Sequence, residues 1–589
     1  MKKLIALLLA LTMVLGMVSF ASADEGKVIS LFLGGGTPLS MDPALNSASA
    51  GSNIIRSAFA GLTGFQYNEN GEPVMAPEIA ESYEVSEDGL TYSFVLREGL
   101  KWSDGTDATA TQIKESWERA ASAELGADYG FLYDVINRKE DGSLDIDVDD
   151  AARTFVVHLP NPCAYFLDLC AFVPFYPVRV DLADNEGIWA TDPEKYVGLG
   201  AFKMTKYAVD DVISFEKNPY YWNADAVKLA GLNFYLSEDN TAILTAYEND
   251  TVQYIQSISS TEFDRLNATY PGELEFYPTQ GTYYILFNVY KDLSPASKQL
   301  TVQEQSKARF ALGQLINRYE VVNYITKGGE VAATGFFPKG LADGLNSDVR
   351  EVEYYGTWYT NTNEFSDVNP DLTIDQVEAL QTLVDLGYPY TGSIEAGDIT
   401  FTDFPSIEFA FNNSGNNALI IQYIQETWNQ FGITGTVNQE AWATLQSKLK
   451  AGDAEAARMG WIADFNDVVN FLEIFISASG NNYPRLGREI GDYTRNSEVT
   501  ADAGIGAYWG TDGNQTWAEA YDAIVDAVKA STNPEERAKL SADAEKILMA
   551  TGSVNPLYYY TTAQMLKPAV HDVIRLATGD VIWTYADVD

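Results

Sequence analysis

Residues 457–471 read Ala-Arg-Met-Gly-Trp-Ile-Ala-Asp-Phe-Asn-Asp-Val-Val-Asn-Phe. The apolar run 459–463 is too short for a helix, and Asp464 closes it before a turn and a helix start over 465–471. A buried strand ending in a carboxylate points to an α/β arrangement, because open sheets of that class hold their ligand sites at strand ends. A second reading has Asp464 or Asp467 simply capping the following helix, with a side-chain oxygen on orphan backbone N–H groups.

At 589 residues the chain is too long for one hydrophobic core, so two or more lobes are expected. Residues 1–23 read as an export signal: Lys2 and Lys3, an apolar run over 4–20, then Ala21-Ser22-Ala23 as a small-residue cleavage site. No later stretch approaches about 18 uninterrupted apolar residues, so the exported chain is expected to be soluble. The formal net charge of −45 repels phosphate backbones and argues against nucleic acid as a partner. Cys163 and Cys170, the two cysteines, lie on a stretch that reads as a helix, where seven residues separate their Cα atoms by roughly 10 Å. Two buried, unpaired thiols are predicted.

Three tempting motifs fail on their chemistry. Gly34-Gly35-Gly36 is followed by neither Lys-Ser/Thr nor a helix pattern, so it is a turn and not a phosphate loop. The acidic run 145–150 has Asp150 where a calcium loop needs Gly, and Val156 where it needs Glu. A strand–turn–strand with Asp149-Asp150 in the turn fits better. His158 and His571, the two histidines, stand apart from other candidate ligands, which leaves zinc chemistry unsupported.

The region 77–105 reads as a hairpin turning at Asp88-Gly89, and Thr109 caps a helix over 113–119. Its second strand runs into Leu96-Arg97-Glu98-Gly99-Leu100-Lys101-Trp102-Ser103-Asp104-Gly105. This block resembles the Leu-Arg-x-Gly-x-Lys-Trp-Ser-x-Gly signature of the oligopeptide-binding proteins of ABC importers, extracellular solute-binding protein family 5. Met41-Asp42-Pro43 resembles that family's opening Leu-Asp-Pro, with Met for Leu, and the run from Arg458 to Asp467 with Asn481-Asn482 resembles its cleft-lining segment.

The resemblance implies an α/β, two-lobed periplasmic-binding-protein fold of the large three-domain type, with mixed sheets flanked by helices and a cleft between the lobes. Lobe I is expected from 24–61, 196–281 and 562–589, an accessory subdomain from 62–195, and lobe II from 282–561. A crossing strand is expected at 281–288, a helix at 309–325, and a returning strand at 556–560. The long, loose segment 340–403 has no assigned role.

In the family, the residue matching Asp464 pairs with the α-ammonium of a bound peptide, and that matching Arg458 can meet its carboxylate. The backbone matching Gly460, Trp461 and Ile462 bonds the peptide main chain. The strip containing Ser47, Ala48 and Ser49 forms an extended piece of the cleft wall, and Trp442, Trp461 and Phe131 line side-chain pockets. Arg458 equally suits the acidic surface of its own lobe, and each aromatic taken singly suits ordinary core packing.

The implied function is capture of oligopeptides outside the cytoplasm and delivery to membrane permease subunits, by a monomer with no cofactor. A non-peptide solute such as an oligosaccharide is the alternative, which an aromatic share of 13% would suit. No nucleophile–histidine pattern, metal cluster or phosphate loop supports an enzyme. No cysteine stands near the cleavage site, so a periplasmic or cell-surface protein without a lipid anchor is expected.

Overall fold

The computed structural model describes residues 26–163, 165–360, 363–487 and 517–589, so the export signal read over 1–23 lies outside the described residues. The chain begins with β1 (Val28–Phe32) and α1 (Ser49–Ile55). The hairpin at Asp88-Gly89 forms as antiparallel β2 (Ala80–Val85) and β3 (Thr91–Leu96). The helix α2 (Ala110–Ala120) starts on a capping box, in which Thr109 and Gln112 each accept the other's backbone N–H. β4 (Ile146–Asp149) and β5 (Thr154–His158) flank the turn read from the acidic run. In the order β2-β3-β5-β4 they make a four-stranded sheet, with Phe94, Trp117 and Phe155 in its core. The short helix α3 (Phe166–Cys170) follows.

Next come β6 (Phe202–Ala208), β7 (Val212–Lys217), β8 (Gly231–Tyr235), α4 (Asn240–Glu248) and β9 (Tyr254–Gln256). Both β8 and β9 pair in parallel with β1, which is the βαβ unit of an open α/β sheet. The chain then crosses on β10 (Leu274–Phe287) and builds α5 (Val302–Gln314), α6 (Ile374–Leu386), β11 (Ile407–Asn412) and α7 (Asn417–Gln430). β12 (Gly435–Glu440), α8 (Trp442–Ala451), β13 (Ala456–Ile462), α9 (Trp517–Ala530) and α10 (Pro534–Ala550) lead to the returning strand β14 (Val554–Leu566).

One mixed sheet in the order β12-β11-β13-β10-β14-β9-β1-β8-β7-β6 runs through both lobes, with residues 331–332 added on β14. Only its two central strands serve both: β10 and β14 pair antiparallel from Leu274↔Met565 to Leu286↔Val554, and their ladder slips between Pro278 and Thr282. On one side a core gathers Leu31, Phe202, Leu232 and Trp583. On the other, Ile285, Leu312, Leu383, Phe409 and Trp428 pack together. The accessory sheet's core joins that of the second lobe through Tyr165 and Phe465, whose rings stack at 4.7 Å.

Two helix readings are corrected. The helix expected over 309–325 ends at Gln314, where Asn317 caps a new turn by accepting the Glu320 N–H, and residues 321–326 continue in π-helical spacing to Lys327 at φ 55°. The cysteine stretch is helical only over α3, so Cys163 stands ahead of the helix. Both thiols are buried and unpaired, and burial pushes the Cys163 thiol up to about 12. Neither thiol is therefore expected to react with a disulfide reagent at about pH 8 in the native protein, and both react once urea unfolds it. A mass deficit of about two daltons under non-reducing conditions would refute the unpaired assignment.

Candidate functional site

The cleft between the lobes encloses a cavity of about 340 Å³. Its floor is β13, where alternation puts Arg458, Gly460 and Ile462 on the less buried face and Met459 and Trp461 inward. β13 pairs with β10 along its whole length, but with β11 only at Ala456 and Ala457. The Ala463 N–H donates to the Gln280 carbonyl at 2.7 Å, which fixes the phase of the ladder. Odd-numbered residues therefore bond to β10, and the peptide groups of Arg458, Gly460 and Ile462 point to the unpaired edge. A Cβ at 460 would lie 2.0 Å from the Tyr560 hydroxyl, so any residue but glycine there forces that ring to move.

Asp464 sits just past the end of β13, partly buried in the cavity wall. It does not cap the next helix. Asp467, just ahead of that helix, accepts the Val469 N–H at 2.9 Å and pairs with Arg537. The Asp464 Oδ2 instead accepts from Asn470 Nδ2 at 2.9 Å and from the Tyr129 hydroxyl at 3.1 Å, the latter reaching across from the accessory subdomain. Among the described residues no lysine or arginine makes an ion pair with it. The cation that acts on it, Arg56, is engaged with Asp580. Burial, helped by the Asp580 charge, pushes the Asp464 carboxyl up to about 7 against the pull of its two hydrogen bonds and Arg56.

The remaining sequence candidates are spread along the same cavity. Ser47, Ala48 and Ser49 line it from the first lobe; Ala48 is extended, and Ser49 already opens α1. Trp442, the first residue of α8, faces Arg458, whose guanidinium lies 5.5 Å from the Trp442 ring and 5.6 Å from that of Tyr283. The Arg458 Nε is buried without a hydrogen-bond partner. Phe131 does not line the cavity. It packs against Tyr129, the residue two earlier in the chain, and Tyr129 is the one at the wall. Sequence reasoning also missed Arg56, Tyr283, Gln446, Tyr560 and Asp580, all of which line the cavity.

Polar contacts hold the lobes together around this space. Glu238 accepts the Trp442 N–H at 2.9 Å, Asn416 accepts the Ser260 N–H at 2.8 Å, and Lys450 pairs with Asp128, which also accepts from Ser47. The glycine run forms a left-handed bend, φ 64–82°, that brings Gly34 and Gly35 to the wall.

A carboxyl raised from about 4 to about 7 by folding stabilises the protein fully below the unfolded value, and that contribution disappears as pH rises through 7. Asp464→Asn is therefore expected to raise the melting temperature of the unliganded protein at about pH 8 and to flatten its decline between roughly pH 4 and 7. Calorimetric melts that decline equally in both proteins would contradict this.

The family model for bacterial extracellular solute-binding proteins, family 5 Middle, matches residues 74–483. The chain is 27% identical over 565 residues to the oligopeptide-binding protein OppA of Bacillus subtilis, covering 93% of this chain and 90% of that protein. The fold matches Haemophilus influenzae OppA, solved in complex with the peptide RPPGFSPFR, with a TM-score of 0.75 and 23% identity over 96% of this chain and 100% of that one. Against the unliganded open form of the murein tripeptide-binding protein MppA the score is 0.56, with 22% identity over 96% and 98% of the two chains. The chain belongs to the bacterial extracellular solute-binding proteins of family 5.

Proposed function

We propose that this protein is the extracytoplasmic binding component of an ABC importer, and that it captures short peptides by their free amino end between two closing lobes for delivery to membrane permease subunits. The observation that carries this reading is Asp464: an ionisable carboxylate in the cleft wall, held by neutral donors, with its neighbouring cation committed elsewhere. A ligand ammonium supplies the missing positive charge, and a charge-assisted pair shielded from water is strong. The unpaired edge at Gly460 and Ile462 offers main-chain bonds to an extended ligand, in the manner of an added strand. Trp442, Trp461 and Arg458 stand along the path such a ligand takes, and Ser47, Ala48 and Ser49 face it from the first lobe.

The reading takes lobe I as 24–61, 196–281 and 562–589, the accessory subdomain as 62–195 and lobe II as 282–561, and the passage of the chain between lobes on β10 and β14 supports it. Among the described residues no helix is long and apolar enough to cross a membrane. The reading also includes export and action as a binding protein without catalysis, as the family membership suggests. The curated relative from Bacillus subtilis and the peptide complex from Haemophilus influenzae support peptides as the solute class.

An ammonium pairs only with the ionised carboxylate, so the bound-state pKa of Asp464 falls below its free value near 7. Peptide affinity is expected to weaken about tenfold per pH unit below 7, and to decline again above about pH 8 as the α-amine loses its proton. Asp464→Ala is expected to cost roughly 3–5 kcal/mol, about two to nearly four powers of ten in Kd. Titration calorimetry with free and N-acetylated peptides checks both. Affinity untouched by acetylation, or a thermal shift given by oligosaccharides and not by peptides, would overturn the assignment.

A further inference from the structure

Arg56 follows α1 in the first lobe, and its guanidinium is almost fully engaged. Its Nε and Nη2 meet the two oxygens of Asp580 at 3.1 and 3.0 Å, a bidentate pair. Its Nη1 donates to the Ala171 carbonyl at 3.0 Å and to the Tyr176 hydroxyl at 2.7 Å. Both partners of the ion pair are buried, with side chains only 8% and 12% exposed. Asp580, on the C-terminal return of the chain, is steadied by the Thr578 hydroxyl at 3.0 Å. Arg56, Asp580 and Asp464 line the same cavity.

A short relay joins the two ends of this arrangement. Ala171, which holds Arg56, precedes Phe172, whose ring meets Tyr129 edge-on at 5.1 Å, and the Tyr129 hydroxyl holds Asp464. The ionisable groups that face Asp464 are thus Tyr129 from the accessory subdomain, Arg56 from the end of α1 and Asp580 from the C-terminal return. Two carboxylates and one guanidinium leave a single net negative charge. Arg56 is the cation best placed to neutralise Asp464, and Asp580 occupies it.

We propose that Asp580 is a positioning residue for ligand capture: by clamping Arg56 it keeps that guanidinium off Asp464 and leaves the Asp464 carboxylate free for a ligand's ammonium. The charge argument is independent of any rearrangement. Without Asp580 the cluster carries no net charge, and a buried Arg56 that has lost its carboxylate turns to the next one in the cavity. The inference rests on the ammonium reading of Asp464, and it adds a residue far from β13 in the sequence that decides whether that site is open to cations.

The first test needs no ligand. Melting temperatures of the unliganded full chain are followed between about pH 4 and 8 for Asp580→Asn with and without Asp464→Asn. The upper end of the decline that Asp464 produces is expected to move from near pH 7 to below about pH 5, because Arg56 now stabilises the ionised form. A decline that stays near pH 7 overturns the proposal.

The second test is calorimetric binding of trialanine at about pH 7.5. Asp580→Asn is expected to bind at least about tenfold more weakly than the native protein, with Asp580→Glu close to native and Asp580→Asn/Arg56→Met recovering to within about threefold. Native-like binding by Asp580→Asn, or no recovery in a double variant that melts cooperatively, overturns the proposal. Unchanged binding by Asp464→Asn overturns the ammonium reading instead, whatever Asp580 does.

Discussion

The pairing of β10 with β14 is the constraint on which the architecture depends. Every other strand of the large sheet lies on one side of the cleft, while these two carry hydrogen bonds through both lobes. Relative motion of the lobes must therefore be absorbed where their ladder is weakest, between Pro278 and Thr282, where the register slips and Pro278 has no N–H to give. That point also touches the site. Gln280 accepts the Ala463 N–H beside Asp464, and its own N–H donates to the Ala577 carbonyl, three residues before Asp580. The bend and the two carboxylates share one residue's backbone.

Around the cleft, Asp464 stands apart from the neighbouring carboxylates. Arg537 is taken by Asp467, Arg56 by Asp580 and Lys450 by Asp128. Asp464 has only an amide and a phenol. Burying a carboxylate without a cation destabilises the empty protein, a form of the common tension between stability and binding. Under the proposed ammonium reading, a positive ligand relieves that cost, so the same desolvation that weakens the free protein sharpens its choice of solute.

Features encoded within a few residues were legible in the sequence. The strand ending at Asp464, the Asp88-Gly89 hairpin and the Thr109 helix start rest on local period and turn chemistry, and each formed as read. Choosing between the carboxylates at 464 and 467 was beyond local pattern, because Arg537 decides it from 70 residues away. Arg56 and Asp580 are 524 residues apart and carry no signal of their meeting. Tyr129 was missed in favour of Phe131, since Tyr129 stands just ahead of the 3-10 turn Gly130–Val135 that carries Phe131, where no helical or strand period reaches it. The break at Asn317 did have a local sign: an Asn within an otherwise helical run competes for backbone N–H groups and starts a new turn.

The open edge of β13 has a consequence beyond ligand capture. An exposed, unpaired strand invites pairing with a second copy of the chain, the route to clumping and to swapped dimers. Here the unsatisfied stretch is a few residues long, interrupted by Gly460 and set at the bottom of a cleft whose opposite wall is the protein's own first lobe. A whole folded neighbour cannot reach so recessed a strip, whereas a slender extended chain can. The fold thereby tells threads from globules by access alone, and the net charge of −45 adds repulsion between copies.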